Sequence, residues 1–247
     1  MRELISKKKD KEVYKEDGRT IKIFDSSYPT SRLLNEATNI ALLEDYHVNV
    51  PELIEVGREE DGRWHIITRF VEGDTLAGEM DGHPEKEDEY LLEFVKLHLK
   101  IHSAKGPFLD RQRDALNRSI RNTDLNATTR YHLHTGLNAM PNNLYLCHGD
   151  YNPTNVIHAK DGEYYVIDWG HASAGNRAAD AANTYINFLL AGQAERAEKY
   201  FKYYSELSGK DMDYLLKWVP YAAAGRYADC AESEKALLMS CIEESWK

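Results

Sequence analysis

The chain has 247 residues, 42% hydrophobic and 29% charged, proportions of a folded protein long enough for one large domain or two lobes. Its formal net charge of −10 argues against a duplex nucleic-acid binder, which needs a basic face for phosphates, and is compatible with a cationic substrate. No apolar run approaches membrane-spanning length, MRELISKKKDKE has no signal-peptide core, and three cysteines without a CxxC pair suit reduced thiols, so a cytoplasmic protein without membrane partners is expected.

In chain order, EVYKEDGRTIKIF predicts a hairpin turning at Asp17-Gly18, because Asp-Gly between alternating runs is a strong hairpin signal. TSRLLNEATNIALLEDY then places Leu33, Leu34, Ala37, Ile40, Ala41 and Leu42 at helical spacing. Pro51 fits a strand start, and ELIEVGREEDGRWHIITRF predicts a second hairpin at Asp61-Gly62. Residues 1–71 therefore read as a small antiparallel sheet with one helix. After VEGDTL, helices are expected in EDEYLLEFVKLHLKIHSA and TDLNATTRYHLHTGL, and a third hairpin turns at Asp161-Gly162 in NVIHAKDGEYYVIDW. Helical patterns fill 178–208 and 212–245, with Pro220 kinking or starting a helix. Strands first and helices later predict an α+β fold of two unequal lobes, 1–71 and 72–247.

The chemistry concentrates in LCHGDYNPTNVI and the following VIDWG. A carboxylate among Val, Ile and Trp must be paired or bind a metal, so Asp168 is costly as a purely structural residue. The hairpin at Asp161-Gly162 brings Asn155 and Asp168 across from each other, an amide oxygen and a carboxylate suited to Mg²⁺. Asp150, in the loop leading in, is left to orient a hydroxyl and accept its proton. That division of labour matches phosphoryl transfer from ATP. Taken singly, each residue also has a plain reading: Asn155 in a turn, Asp168 capping a loop, His148 as a satisfied core histidine.

CHGDYNPTNVI…VIDWG resembles the catalytic core of the aminoglycoside phosphotransferase family, relatives of choline kinases and, more distantly, protein kinases. The resemblance covers essentially the whole chain and implies a two-lobed protein kinase-like fold, with a small antiparallel-sheet N-lobe and a larger, mainly helical C-lobe. It implies Asp150 as catalytic base, Asn155 and Asp168 as Mg²⁺ ligands, His148 as a structural member of the catalytic loop, and Asp180 as its brace from the following helix. In the N-terminal half it implies that Lys22, on a strand, pairs with Glu36 on the next helix to hold the donor phosphates. Backbone groups near Arg69 and Val71 would meet the adenine, with Thr68 at the back of that pocket. The family likeness is looser at ISKKKDKEVYK, where protein kinases carry a Gly-rich loop and this chain has no glycine. There Lys7, Lys8, Lys9 and Lys11 either offer charge to phosphates or form a solvated turn.

Two functions follow. The first is an ATP-dependent kinase of a small-molecule alcohol, with GTP as a possible donor, Mg²⁺ as cofactor, and an aminoglycoside or choline-like acceptor among the candidates. The second is a catalytically silent nucleotide-binding regulator on the same fold. Asp211, Asp213, Asp229, Glu232 and Glu234 are candidates for contacts to a cationic acceptor. The sequence assigns no oligomeric state.

Overall fold

The computed structural model describes residues 2–46, 48–106 and 108–243. By compactness the chain falls into two units, Met1–Gly82 with Pro153–His171, and His83–Asn152 with Ala172–Lys247.

The first unit is built on a five-stranded antiparallel sheet of β1 (Glu3–Lys7), β2 (Lys11–Glu16), β3 (Arg19–Phe24), β4 (Leu53–Arg58) and β5 (Trp64–Arg69), in the order β1-β2-β3-β5-β4. The Asp17-Gly18 turn forms as the sequence predicts, with φ of 49° and 72°, the left-handed pair that a tight hairpin requires. Alternation then sorts the side chains. Ile21, Ile23 and Ile67 form one apolar cluster with Tyr14 packed against it, while Lys22 takes the opposite face.

Helix α1 (Thr30–Leu43) buries Leu33, Ala37, Ile40 and Leu43, and with them Glu36 and Asn39. Leu34 and Ala41, counted in the apolar stripe from sequence, are exposed. The buried face thus includes two polar residues with assigned partners, described below.

The unit is completed by β6 (Gly73–Thr75) and α2 (Leu76–Gly82), and by β8 (Val156–Ala159) and β9 (Tyr164–Val166) from later in the chain. The small sheet runs β6-β8-β9. Gly73 is required there, because a Cβ would lie 2.1 Å from the His158 carbonyl oxygen. This pairing is why the compact units differ from consecutive lobes at 1–71 and 72–247: the segment around β6 carries the later hairpin into the first unit.

The second unit holds α3 (Glu87–Ile101), α4 (Gln112–Asn122), α5 (Ala127–Ala139), α6 (Arg177–Leu190), α7 (Ala194–Ser208), α8 (Met212–Leu216), α9 (Val219–Tyr227) and α10 (Lys235–Glu243), with the short pair β7 (Tyr145–Cys147) and β10 (Ser173–Gly175). Helix α4 is missing from the sequence reading because its only buried residue is Ile120, too little apolar periodicity to register. Pro220 lies in the first turn of α9, so it starts a helix rather than kinking one. The end of the predicted helical run, 244–245, lies outside the described residues.

Buried alanines on α6 and α9 let those helices pack together closely. Beside them Phe94 stacks on Tyr151 at 4.3 Å between centroids, and the Tyr151 hydroxyl donates to the Phe94 carbonyl at 2.9 Å. Among the described residues no disulfide joins Cys147, Cys230 and Cys241, and no helix is long and apolar enough to cross a membrane.

Candidate active site

In the first unit, the sheet face opposite the isoleucine cluster lines a cavity of about 620 Å³. Lys22 Nζ reaches into it and pairs with Glu36 of α1 and with Asp168 Oδ1, the latter at 2.8 Å. Sequence alternation alone would have left Lys22 facing solvent. Here its side chain is 14% exposed, and the two carboxylates hold it charged. Burial works against the ammonium, but Glu36 and Asp168 outweigh it and raise its pKa.

Glu36 is positioned by the helix and by the loop carrying Asp168. The neighbouring Asn39 donates from Nδ2 to the Trp169 carbonyl at 2.9 Å, tying α1 to that loop. A Cβ on Gly170 would approach Glu36 Oε2 to 3.3 Å, so glycine leaves the carboxylate room.

Asp168 does not sit inside a strand, as the sequence suggested. Strand β9 ends at Val166, and Asp168 has φ of 64°, a left-handed conformation disfavoured for a non-glycine residue. The turn aims its carboxylate into the cavity. Burial opposes its charge, yet Lys22 and Lys11 together keep its pKa well below the carboxylate range. Asn155, 8% exposed in the turn Pro153–Asn155, lines the same cavity, and its carbonyl accepts from the Ile167 N–H at 2.9 Å. An amide oxygen and a carboxylate on one cavity wall are hard donors that fit Mg²⁺, which takes its remaining ligands from water and phosphate.

Thr68, Arg69 and Val71 also line the cavity. The Arg69 side chain turns to Glu52 (Nε to Oε2, 2.8 Å), and its N–H donates to the Glu52 carbonyl at 2.9 Å. The Arg69 N–H is therefore committed within the unit. Lys11, which the sequence left between a phosphate contact and a solvated turn, has its Nζ 3.4 and 3.3 Å from the two Asp168 oxygens. Its burial, with Lys22 nearby, lowers its pKa.

In the second unit, the loop after β7 is fastened to one face of α6. Asp180 Oδ2 accepts from the His148 N–H and Oδ1 from the Gly149 N–H, each at 2.8 Å. Asn183 Nδ2 donates to the Gly149 carbonyl at 2.5 Å, and the Thr184 hydroxyl to the Tyr151 carbonyl at 2.9 Å. Asn187 Nδ2 donates to Asp150 Oδ1 at 3.0 Å. Positions 180, 183, 184 and 187 are one helical stripe, so α6 grips the loop at each turn. Gly149 has φ of 81°, a conformation that suits glycine and lets the loop present consecutive N–H groups to Asp180. His148 is fully buried and accepts from the Asp150 N–H at 3.2 Å, the satisfied core histidine of the plainer reading.

Asp180 has two further donors that sequence reasoning missed. His98 Nε2 and His102 Nε2, one turn apart on α3, lie 3.0 and 3.1 Å from Asp180 Oδ2. Their Nδ1 atoms meet the Tyr200 and Tyr204 hydroxyls of α7, both at 2.8 Å. An ionised Asp180 can only accept, so each imidazole carries a proton on Nε2, and with burial keeping the rings neutral the tyrosines donate to Nδ1. Burial opposes the Asp180 charge, but the His102 and His98 hydrogen bonds hold its pKa well below the usual range. The i,i+4 His pair facing an i,i+4 Tyr pair was visible in KLHLKIH and KYFKYY, but their meeting needed the fold.

These histidines give the protein an acid-sensitive brace. Burial, reinforced by His102, lowers the His98 pKa from 6.5 to about 3, and burial also lowers that of His102. The unfolded chain therefore binds protons that the folded one refuses, so the contribution is full above pH ~6.5 and falls as pH drops below it. Asp180, depressed in the folded state, loses its own contribution only at lower pH, from about 4 downward. For His98 alone the step from pH 6.5 to 5 is worth about 2 kcal/mol. Urea unfolding at pH 7.5 and 5.0 is expected to show a clearly lower midpoint at pH 5.0. Equal midpoints would mean that the imidazoles protonate without penalty.

The phosphotransferase enzyme family model, APH, matches residues 11–218. No curated protein matches the sequence. Among solved structures, the chain is similar to a thermostable mutant of aminoglycoside phosphotransferase APH(4)-Ia in ternary complex with AMP-PNP and hygromycin B, with TM-score 0.72 and 16% identity over 99% of this chain and 92% of that one. It is also similar to a choline/ethanolamine kinase family protein from Mesorhizobium loti, with TM-score 0.65 and 14% identity over 100% and 90% of the two chains. A GDP complex of an aminoglycoside 2'-phosphotransferase-IIIa mutant aligns with TM-score 0.59 and 17% identity over 100% and 89%. Such identities speak for the fold, which is two-lobed and protein kinase-like. The family match over most of the chain goes further, and by it the chain belongs to the phosphotransferase enzyme family.

Proposed function

We propose that this phosphotransferase is an ATP-dependent kinase of a small-molecule alcohol. The observation that carries the reading is Lys22 held between Glu36 and Asp168 on the wall of a lysine-lined cavity. A buried cation fixed by two carboxylates is preorganised to meet phosphate oxygens as they accumulate charge. In the cavity, the Arg69 carbonyl and the Val71 N–H are the backbone groups suited to the adenine edge, since the Arg69 N–H is already engaged. Asn155 and Asp168 would hold Mg²⁺, whose charge offsets that of the phosphates.

Asp150 supplies the other half of the chemistry. Asn187 orients the carboxylate and the His148 ring holds the Asp150 N–H, and the carboxylate takes the proton of the acceptor hydroxyl as the oxygen attacks the γ-phosphorus. The new O–P bond forms as the bond to the bridging β,γ-oxygen breaks, and ADP leaves with that oxygen.

A second observation bears on the acceptor. Arg226 Nη1 of α9 lies 3.8 Å from Asp150 Oδ1. Among the acidic residues weighed for a cationic acceptor, Asp211 caps α8, Glu234 accepts from the Ala231 N–H, and Glu232 pairs with Lys235. This favours an acceptor whose reacting hydroxyl has no ammonium beside it, over one recognised by charge at that point.

The test is ADP formation from ATP and from GTP across a panel of aminoglycosides, choline-like alcohols, neutral sugars and anionic alcohols. Both donors are included because solved relatives are described with AMP-PNP and with GDP. Acceptor-dependent ADP formation supports the kinase reading. Tight nucleotide binding with no turnover on any acceptor would favour the silent regulator.

A further inference from the structure

Two lysines of the glycine-free KKKDK turn line the donor cavity, Lys8 at its exposed edge and Lys11 with its side chain largely buried. Lys7 is 68% exposed and pairs with Glu12, and Lys9 is exposed. Lys11 is different: its side chain is 15% exposed and its Nζ contacts both oxygens of Asp168. Register explains why. Val13 pairs with Lys22 across β2 and β3, so Lys11, Val13 and Lys15 share the face of Lys22.

The turn itself is poorly suited to hold phosphates through its backbone. Among the described residues, positive φ outside glycine occurs only at Asp17 and Asp168, so this turn has no left-handed nest. The Lys8 N–H is spent inside the turn on the Lys11 carbonyl at 2.8 Å. Charge on a phosphate here must be met by side chains.

We propose that Lys11 binds the donor's terminal phosphates in place of a glycine-rich loop, and that Lys11 and Lys22 together guard Asp168 until a nucleotide arrives. Lys22 holds Oδ1 and Lys11 spans Oδ1 and Oδ2, so a lone divalent cation would have to approach the carboxylate against two ammonium groups. A triphosphate offers both ammoniums better partners and releases the carboxylate. Mg²⁺ therefore enters with the nucleotide and not ahead of it. This rests on the donor-site reading above.

Calorimetry on the whole chain tests it, with ATP, AMP and Mg²⁺ alone as titrants. Wild type is expected to bind ATP in the presence of Mg²⁺ and to show no binding of Mg²⁺ alone at millimolar concentration. Lys11→Met is expected to weaken ATP by about 10- to 100-fold and AMP by little, since AMP lacks the terminal phosphates. Lys11→Arg, which keeps the charge, is expected to stay within several-fold of wild type and controls for folding. Equal ATP affinity in wild type and Lys11→Met overturns the inference while leaving the donor site standing, as does tight binding of Mg²⁺ to the free wild-type protein. If wild type binds neither ATP nor GTP, the donor-site reading fails and this inference with it.

Discussion

Replacing Asp150 with alanine is expected to lower turnover by about 10²- to 10⁴-fold, the range for loss of a positioned general base. Nucleotide affinity is expected to stay within a few-fold, because the donor contacts proposed above all lie in the first unit. Asp150→Asn separates proton acceptance from shape: it keeps the size and a hydrogen-bonding oxygen for Asn187 but cannot take a proton at neutral pH. It should be nearly as inactive as the alanine variant. Steady-state kinetics with the best acceptor, alongside nucleotide titrations of both variants, gives the comparison. Turnover within tenfold of wild type in either variant would remove Asp150 as the base.

The second large effect is on folding. Asp180 is fully buried and accepts from the His148 and Gly149 N–H groups and from two imidazoles. Asp180→Asn replaces one accepting oxygen by an NH₂ donor that faces donors, so buried N–H groups lose their partner. The expected destabilisation is about 2–4 kcal/mol, since each buried N–H left without an acceptor costs about 1–3 kcal/mol. Denaturant unfolding measures it. Activity should fall further than the unfolded fraction explains, because the same oxygens set the backbone that carries Asp150. A loss below 1 kcal/mol would show that the brace contributes little.

Much of this was legible in the chain. The three Asp-Gly turns and the Asp150-x4-Asn155…Asp168 spacing are local signals, and local signals survive without a fold. Lys22 and Glu36 were placed only through the family likeness, because alternation cannot tell a solvent face from a cavity face. The same ambiguity left Lys11 undecided between a phosphate contact and a solvated turn, although the β2–β3 register puts it on the Lys22 face. Asn183, Thr184 and Asn187 form a polar stripe through an otherwise apolar helix, a pattern that could have been flagged as a docking face. His98, His102, Tyr200 and Tyr204 were not recoverable, since their roles depend on α3 and α7 meeting around Asp180. The left-handed turn at Asp168 was likewise invisible: nothing in VIDWG marks the residue that leaves the strand.

We propose that the cavity of the first unit is a magnesium–nucleotide site with Asp168 as a metal ligand. The most direct measurement is ATP binding by calorimetry, with and without Mg²⁺, on wild type and Asp168→Ala. Mg²⁺ is expected to strengthen ATP binding in wild type and to have no such effect in the variant. Mg²⁺-strengthened binding that is the same in both proteins, or no nucleotide binding by wild type under either condition, would contradict it.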